Sequence, residues 1–348
     1  MLQTLQAGRA LAAISVAAFH LSITMGVDRY GGVPVFQEFT KHGSRGVDFF
    51  FVLSGFIILF AHFGDIGKPR AWGEYIYRRF VRLYPIYWLY TGGFVLLLAL
   101  GLGTQAALPA SVGDWLSSIT LIRVSDGSPP LPVAWTLFHE VAFYATFSVL
   151  ILNKRLGVAV FAIAACACIA FYHYPLPEER TPFNVYTAAY NLYFLLGMGA
   201  YWLFRRGGRG VVEFAIGACV FVLTLMNMDL PYKLSPLLLA FGLALIVAGA
   251  TKLERAGSIK VPRFLAFIGN ASYTLYLVHL AVEGLLLKIA IKSQLYQAAG
   301  PYVTYLLVLA ATVSAGCLAY ALIERPLLAV LHEHHKKRRA AAQAMVTA

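Results

Sequence analysis

Apolar residues run in long blocks from one end of the chain to the other, and polar or charged residues collect in short segments between them. A helix needs about 20 apolar residues to cross the hydrocarbon core of a bilayer. On that measure the blocks predict ten spans, at 5–25, 46–63, 83–102, 133–152, 156–174, 187–204, 211–228, 233–250, 264–287 and 302–323. The spacers, such as Gly64 to Arg70, Arg205 to Gly210 and Thr251 to Arg263, carry the glycine, proline and charge expected of connections. No polar block is large enough for a second domain. The expectation is an all-α membrane protein, with a transmembrane domain over 1–326 and a basic tail over 327–348.

Composition excludes a soluble fold. Hydrophobic residues make up 59% of the chain and charged residues 13%, where a soluble domain carries about 25% charge. A net charge of +12 would suit nucleic acid only if the basic residues shared one soluble face with exposed aromatics. They lie between apolar blocks instead, so no nucleic-acid partner is expected. Their distribution sets orientation, because cytoplasmic loops carry the excess of Lys and Arg. With the N-terminus inside, twenty of the 28 basic residues fall on cytoplasmic segments. The other eight are Arg29, Lys41, Arg45, Arg123, Arg180, Lys233, Lys288 and Lys292. This predicts a multi-pass protein of a bacterial inner membrane, with about ten transmembrane helices and both termini cytoplasmic.

Three smaller features fit that reading. The run from Ala10 to Met25 follows an arginine, as in a secretory signal, but it contains His20 and lacks a convincing cleavage site, so an uncleaved first helix is expected. Cys166, Cys168, Cys219 and Cys317 all fall in apolar blocks and read as small core residues. The stretch His332 to Arg339 could bind a metal or anionic lipid, or be a solvated charge run that fixes topology; the latter is expected.

Ionisable side chains inside a membrane span are costly, and each is a functional candidate. Arg9 and His20 have ten residues between them on the first span. Eleven helical steps turn through about 1100° and rise ~16 Å, so both side chains share one face, Arg9 near the cytoplasmic headgroups and His20 past mid-membrane. In YRRFVRLYP, Tyr77 to Pro85, Arg78, Arg79 and Arg82 stand within one turn at the mouth of the third span. Guanidinium forks suit phosphate, although ordinary anchoring at the interface would use the same residues. In WTLFHEVAFY, Trp135 to Tyr144, Glu140 falls some two turns into the fourth span, where a carboxylate must be paired, protonated or facing water. It is placed to orient His20 or take its proton, with Tyr144 one turn deeper, while His139 points about 100° away and reads as packing.

The ninth span, NASYTLYLVHLAVE, carries Ser272, Tyr276, His279 and Glu283 at i, i+4, i+7 and i+11, a polar stripe that lines either a cavity or a helix interface. The second, GVDFFFVLSGF, adds Asp48 at its outer end, and Ser54 and Gly55 where small residues permit close helix approach. Trp115, Tyr30 and Trp135 suit stacking on sugar rings or interfacial anchoring. By depth, His20, Glu140, His279 and Glu283 belong to the outer half and the arginines to the inner side, about half a bilayer, ~15 Å, apart.

Taken in order, RALAAISVAAFH, GVDFFFVLSGF, RRFVRLYP, WTLFHE and SYTLYLVH resemble the acyltransferase family 3 membrane O-acyltransferases, and within them the bacterial exopolysaccharide acetyltransferases of the ExoZ type. The resemblance covers the chain from Leu5 to about Pro326. It implies a cytoplasmic acyl-CoA donor, usually acetyl-CoA, no metal, and an acceptor sugar hydroxyl on the periplasmic side. The acceptor would be an exopolysaccharide or its lipid-linked oligosaccharide precursor. Arg9 and His20 match the family's arginine-x10-histidine pair, and Arg79 and Arg82 its arginine-x-x-arginine motif. Some members carry an added periplasmic domain, and this chain stops soon after its tenth span, which implies direct transfer to the glycan.

On this reading Arg78, Arg79 and Arg82, with Arg9, hold the CoA phosphates. His20 is either general base on the sugar hydroxyl or a transient acyl-imidazole nucleophile. Glu140 sets its tautomer, and Tyr276 or Ser272 donates to the thioester oxyanion. Asp48, Ser54, Trp135, Tyr144, His279 and Glu283 complete the pocket. A secondary transporter or lipid-linked glycan flippase is the rival reading, but it predicts inverted repeats and broken helices, neither visible in the sequence.

Overall fold

A computed structural model describes residues 2–100, 108–173, 181–226 and 234–347, with side chains as far as Lys337. Arg180, Lys233, residues 103–107 and 175–180 of the expected outer loops, and the side chains of Arg338 and Arg339 lie outside the described residues. Every regular element among the described residues is helical. In chain order these are α1 (Gln3–Met25), α2 (Gln37–Thr40), α3 (Gly46–His62), α4 (Trp72–Ala99), α5 (Val112–Thr120), α6 (Trp135–Leu152) and α7 (Lys154–Ala170). They continue with α8 (Pro182–Tyr186), α9 (Tyr190–Arg205), α10 (Val211–Met226), α11 (Leu234–Arg255), α12 (Arg263–Lys292), α13 (Leu295–Ala319) and α14 (Arg325–Thr347). Helices α1, α3, α4, α6, α7 and α9 to α13 follow the apolar blocks. Seven segments are long and apolar enough to cross a bilayer, and Val211–Met226 is apolar but shorter. Below, the near face of the bundle is the one at which α1 begins and the far face the one at which it ends.

Small residues bring the helices together. Gly55 of α3 faces the Phe194 carbonyl of α9, and Gly197 of α9 faces the Val52 carbonyl of α3. A Cβ at these positions would fall 2.0 and 1.9 Å from those oxygens. Side chains then close around the crossing, with Phe143 of α6 stacked on Phe194 at 4.4 Å. Such backbone contact is how helices associate where lipid removes the hydrophobic drive. Between α6 and α7, Asn153 turns the chain within one residue. Its N–H donates to the Val149 carbonyl and its side-chain oxygen accepts from Leu156 N–H, closing one helix and capping the next.

Four departures from the sequence reading matter for the site. First, α4 begins at Trp72, not near 83, so the arginine cluster lies within the helix. Second, the chain before α3 enters the bundle at the level of the middle of α1: Gly43 packs on the Ser15 carbonyl and Gly46 on that of Ala12. Asp48 therefore does not sit at an outer mouth. Third, α13 passes into α14 through a single π turn, Tyr320–Glu324. The tail is thus helical and docked on α4, with His335 stacked on Tyr77 at 3.7 Å and its Nε2 3.0 Å from a Glu74 oxygen. Fourth, of the four free cysteines only Cys168 is buried, while Cys166 and Cys219 face outward.

Candidate active site

The site grows from the seam between α1 and α12. Gly269 lets the α12 backbone approach the Gln6 carbonyl, where a Cβ would fall 2.0 Å away. One turn further along, the side chains of the two helices meet, and Arg9 Nε donates to Ser272 Oγ at 3.0 Å. Here α1, α3, α4, α6 and α12 enclose a cavity of about 130 Å³. Arg9, Arg79 and Arg82 line it together with Glu140, Tyr144 and Ser54.

The carboxylate of Glu140 accepts hydrogen bonds from Ser54 Oγ, at 3.3 Å, and from the Tyr144 hydroxyl. Arg82 Nη1 donates to Glu324 Oε1 at 2.8 Å, and the second Glu324 oxygen accepts from Thr274 Oγ1 at 2.6 Å. The Arg79 guanidinium lies 5.8 Å from the centre of the Tyr144 ring, and its buried Nε has no hydrogen-bond partner among the described residues. Three guanidiniums face the carboxylates of Glu140 and Glu324, an excess of one positive charge. Low-dielectric walls strengthen the field they make, which suits the cavity to a negatively charged group.

Farther along the same seam lies a pair of imidazoles. His20 Nδ1 is 3.0 Å from the Val16 carbonyl oxygen and 3.1 Å from His279 Nε2. His279 Nδ1 in turn is 2.8 Å from the Tyr276 carbonyl oxygen. A carbonyl only accepts, so the hydrogen-bond network assigns a hydrogen to each Nδ1. Neutral His279 then offers its Nε2 lone pair to the one His20 Nδ1–H, which is shared with the Val16 carbonyl, and His20 Nε2 keeps its lone pair. Tyr276 joins the two regions, lining the cavity with its ring 5.8 Å from that of His279.

The structure separates residues that the sequence reading grouped. Glu140 lies among the arginines and does not meet His20, so it cannot set that tautomer; His279 and Val16 do. Arg78 points away from the cavity and pairs with exposed-side Glu74 at 2.7 Å, because consecutive helical residues diverge by about 100°. Asp48 is buried 3.6 Å from Arg45 and lines no part of the cavity. Trp135 packs on Phe51, His139 and Tyr190. The Tyr276 hydroxyl is engaged by the Val133 carbonyl and Thr136. The polar stripe of α12 splits three ways: Ser272 and Tyr276 reach the cavity, His279 reaches His20, and Glu283 is fully buried with neither oxygen hydrogen-bonded among the described residues.

Glu324 was not anticipated. It is fully buried, and its only sequence signal is an acid closing the last apolar block two residues before Pro326. Tyr273 was also missed. Its hydroxyl donates to the Leu83 carbonyl at 2.8 Å, and Arg82 lies 5.4 Å from its ring centre.

Residues 2–321 match the family described as an acyltransferase domain. The chain is 30% identical over 307 residues to the exopolysaccharide production protein ExoZ of Rhizobium meliloti (strain 1021), covering 82% of this chain and 90% of that protein. It is 24% identical over 371 residues to proteins of Staphylococcus aureus strains COL and MSSA476 that are named as O-acetyltransferases. Those alignments cover 91% of this chain and 56% of the staphylococcal proteins, so the chain spans just over half their length. No solved structure matches.

Proposed function

The chain belongs to this acyltransferase family as a multi-pass membrane protein, and on that premise we propose that it moves an acetyl group from cytoplasmic acetyl-CoA to a sugar hydroxyl of an exopolysaccharide, or of its lipid-linked precursor, on the periplasmic side of the inner membrane. The observation that carries this reading is the convergence of Arg9, Arg79 and Arg82 on one cavity beside the helix that bears His20. With ten crossings and both ends in the cytoplasm, the near face is cytoplasmic and the arginines meet the donor from that side. Arg79 and Arg82 hold phosphate oxygens of the donor through charge-assisted bonds, with Arg9 behind them fixed by Ser272. Glu140 and Glu324 keep the guanidiniums apart and aimed when the site is empty.

The pantetheine arm then carries the thioester along α1 toward His20, a rise of about 16 Å from Arg9. His20 Nε2 takes the proton of the sugar hydroxyl. The oxygen attacks the thioester carbon, and the tetrahedral intermediate expels the CoA thiolate. His279 receives the His20 Nδ1–H bond, which strengthens as His20 gains charge. The same Nε2 would be the nucleophile if acetyl rested first on the imidazole, and rapid-quench detection of acetylated His20 separates the two routes.

Mass analysis of surface glycans from cells with and without the gene tests the function. Loss of an acetyl increment on deletion, restored by the wild-type gene and not by His20→Ala, is the expected result. Full glycan acetylation with His20→Ala at normal protein levels overturns it. Acetyl-CoA binding to the purified protein separates the enzyme from a flippase, which has no reason to bind it.

A further inference from the structure

A second cavity, of about 460 Å³, lies between the far halves of α4 and α12. Its walls are apolar: Phe94 and Leu97 from α4, Leu277, Ala281 and Leu285 from α12, and Leu131 from the segment before α6. It exists because α4 leaves the bundle. The last buried residue of α4 is Tyr87, and the remaining turns to Ala99 are half-buried or exposed. Polar groups occur at its far-face end, where Lys288 lines the rim and Tyr30 carries the Arg29 guanidinium 4.8 Å from its ring centre. Both cations stand on the side of the bundle that is otherwise poor in Lys and Arg. The wall also includes Thr24, one turn past His20 on α1, and Val278 and Leu280, which flank His279.

A groove open to lipid, apolar along its length and cationic at its headgroup end, has the charge and polarity pattern of an anionic lipid. Its contact with the helices that carry the imidazole pair gives the lipid's head a short path to the transfer nitrogen. We propose that this groove holds the chain of a lipid-linked glycan acceptor, with Lys288 and Arg29 meeting the phosphate that joins lipid to sugar. The inference rests on the acetyltransferase reading and selects the lipid-linked precursor over finished polysaccharide as the acceptor. Burial of the chain's methylenes favours binding, so the groove raises the local concentration of acceptor without any code for the sugar.

Gly93 offers a clean test, because it lines the groove and a Cβ there meets nothing within 4 Å. Gly93→Leu narrows the groove from a position where the first added carbon has open space. Full-length protein in detergent is assayed with acetyl-CoA and two acceptors: an oligosaccharide on a polyisoprenyl phosphate, and the same oligosaccharide free in solution. Gly93→Leu is expected to raise KM for the lipid-linked acceptor by about tenfold, the equivalent of roughly two buried methylenes. Acetyl-CoA binding and transfer to the free sugar stay unchanged. Lys288→Ala raises the same KM by about fivefold in a salt-sensitive way.

Binding is read separately from turnover by photo-crosslinking with a diazirine-bearing polyisoprenyl phosphate, mapped by peptide mass. Label on α4 and α12 that is lost in Gly93→Leu and not displaced by excess phosphatidylglycerol supports the proposal. Label elsewhere, displacement by phosphatidylglycerol, or an unchanged lipid-linked KM in Gly93→Leu overturns it. If wild type acetylates neither acceptor while the crosslink persists, the function has failed and the lipid site has not.

Discussion

The arginine cavity and the imidazole pair share the seam between α1 and α12 and are built on opposite principles. Around the cavity, charges are held in place by other charged and polar groups drawn from five helices and the π turn: Arg82 by Glu324, Glu140 by Ser54 and Tyr144, Arg9 by Ser272. At the far end the imidazoles are held by backbone carbonyls of their own helices and by each other. The first arrangement binds charge, because removing any partner leaves a desolvated ion. The second controls where one proton sits, since carbonyls that only accept fix both tautomers. One region is therefore expected to govern affinity for the donor and the other the rate of transfer.

The sharpest break in that contrast is His20→Ala. General bases contribute about 10²–10⁴-fold, so kcat should fall by about 10³ with acetyl-CoA affinity intact, read by turnover and by calorimetry on the same preparation. Next is Arg79→Ala, whose lost charge-assisted bonds should raise the donor KM by about 10- to 100-fold with a smaller change in kcat. His279→Phe leaves Val16 to hold His20 alone. It is expected to lower kcat about tenfold at unchanged donor KM, and a merely structural role would instead lower the thermal midpoint. Arg82→Ala strands Glu324 and should cost about 3 kcal/mol of stability. Adding Glu324→Gln should restore part of it, as thermal unfolding in detergent can show. The smallest effect belongs to Arg78→Ala, within about twofold in every kinetic constant, because an exposed i, i+4 pair contributes only about 0.3–0.5 kcal/mol. Equal damage from Arg78→Ala and Arg79→Ala would erase the boundary between cavity and surface.

Much of the fold was legible because membrane spans are written in long apolar blocks, and the helices follow those blocks. The face shared by Arg9 and His20 was legible too, since helical rotation alone fixes it. Partners across helices were not. Depth counted along a block assumes that every helix begins at the membrane surface, but Gly43 and Gly46 carry the start of α3 to the middle of α1, and Glu140 falls among the arginines. Arg78 and Arg79 differ by one helical step, and only the neighbouring Glu74 and Tyr144 decide which of them faces inward. Glu324 was hidden at the end of a block, where an acid reads as the return to water.

That residue closes the π turn, and the turn has a mechanical consequence. A π turn holds one residue more than the helix around it, and removing one residue would rotate everything downstream by about 100°. Upstream of Glu324 the chain is anchored in the bundle. Downstream, α14 grips α4 through Leu331 and His335. The bulge thus stands like a crank between two bearings: a turn of the terminal helix about its axis would carry the Glu324 carboxylate away from Arg82, and the Arg82 contact ties the angle of the tail to the cavity.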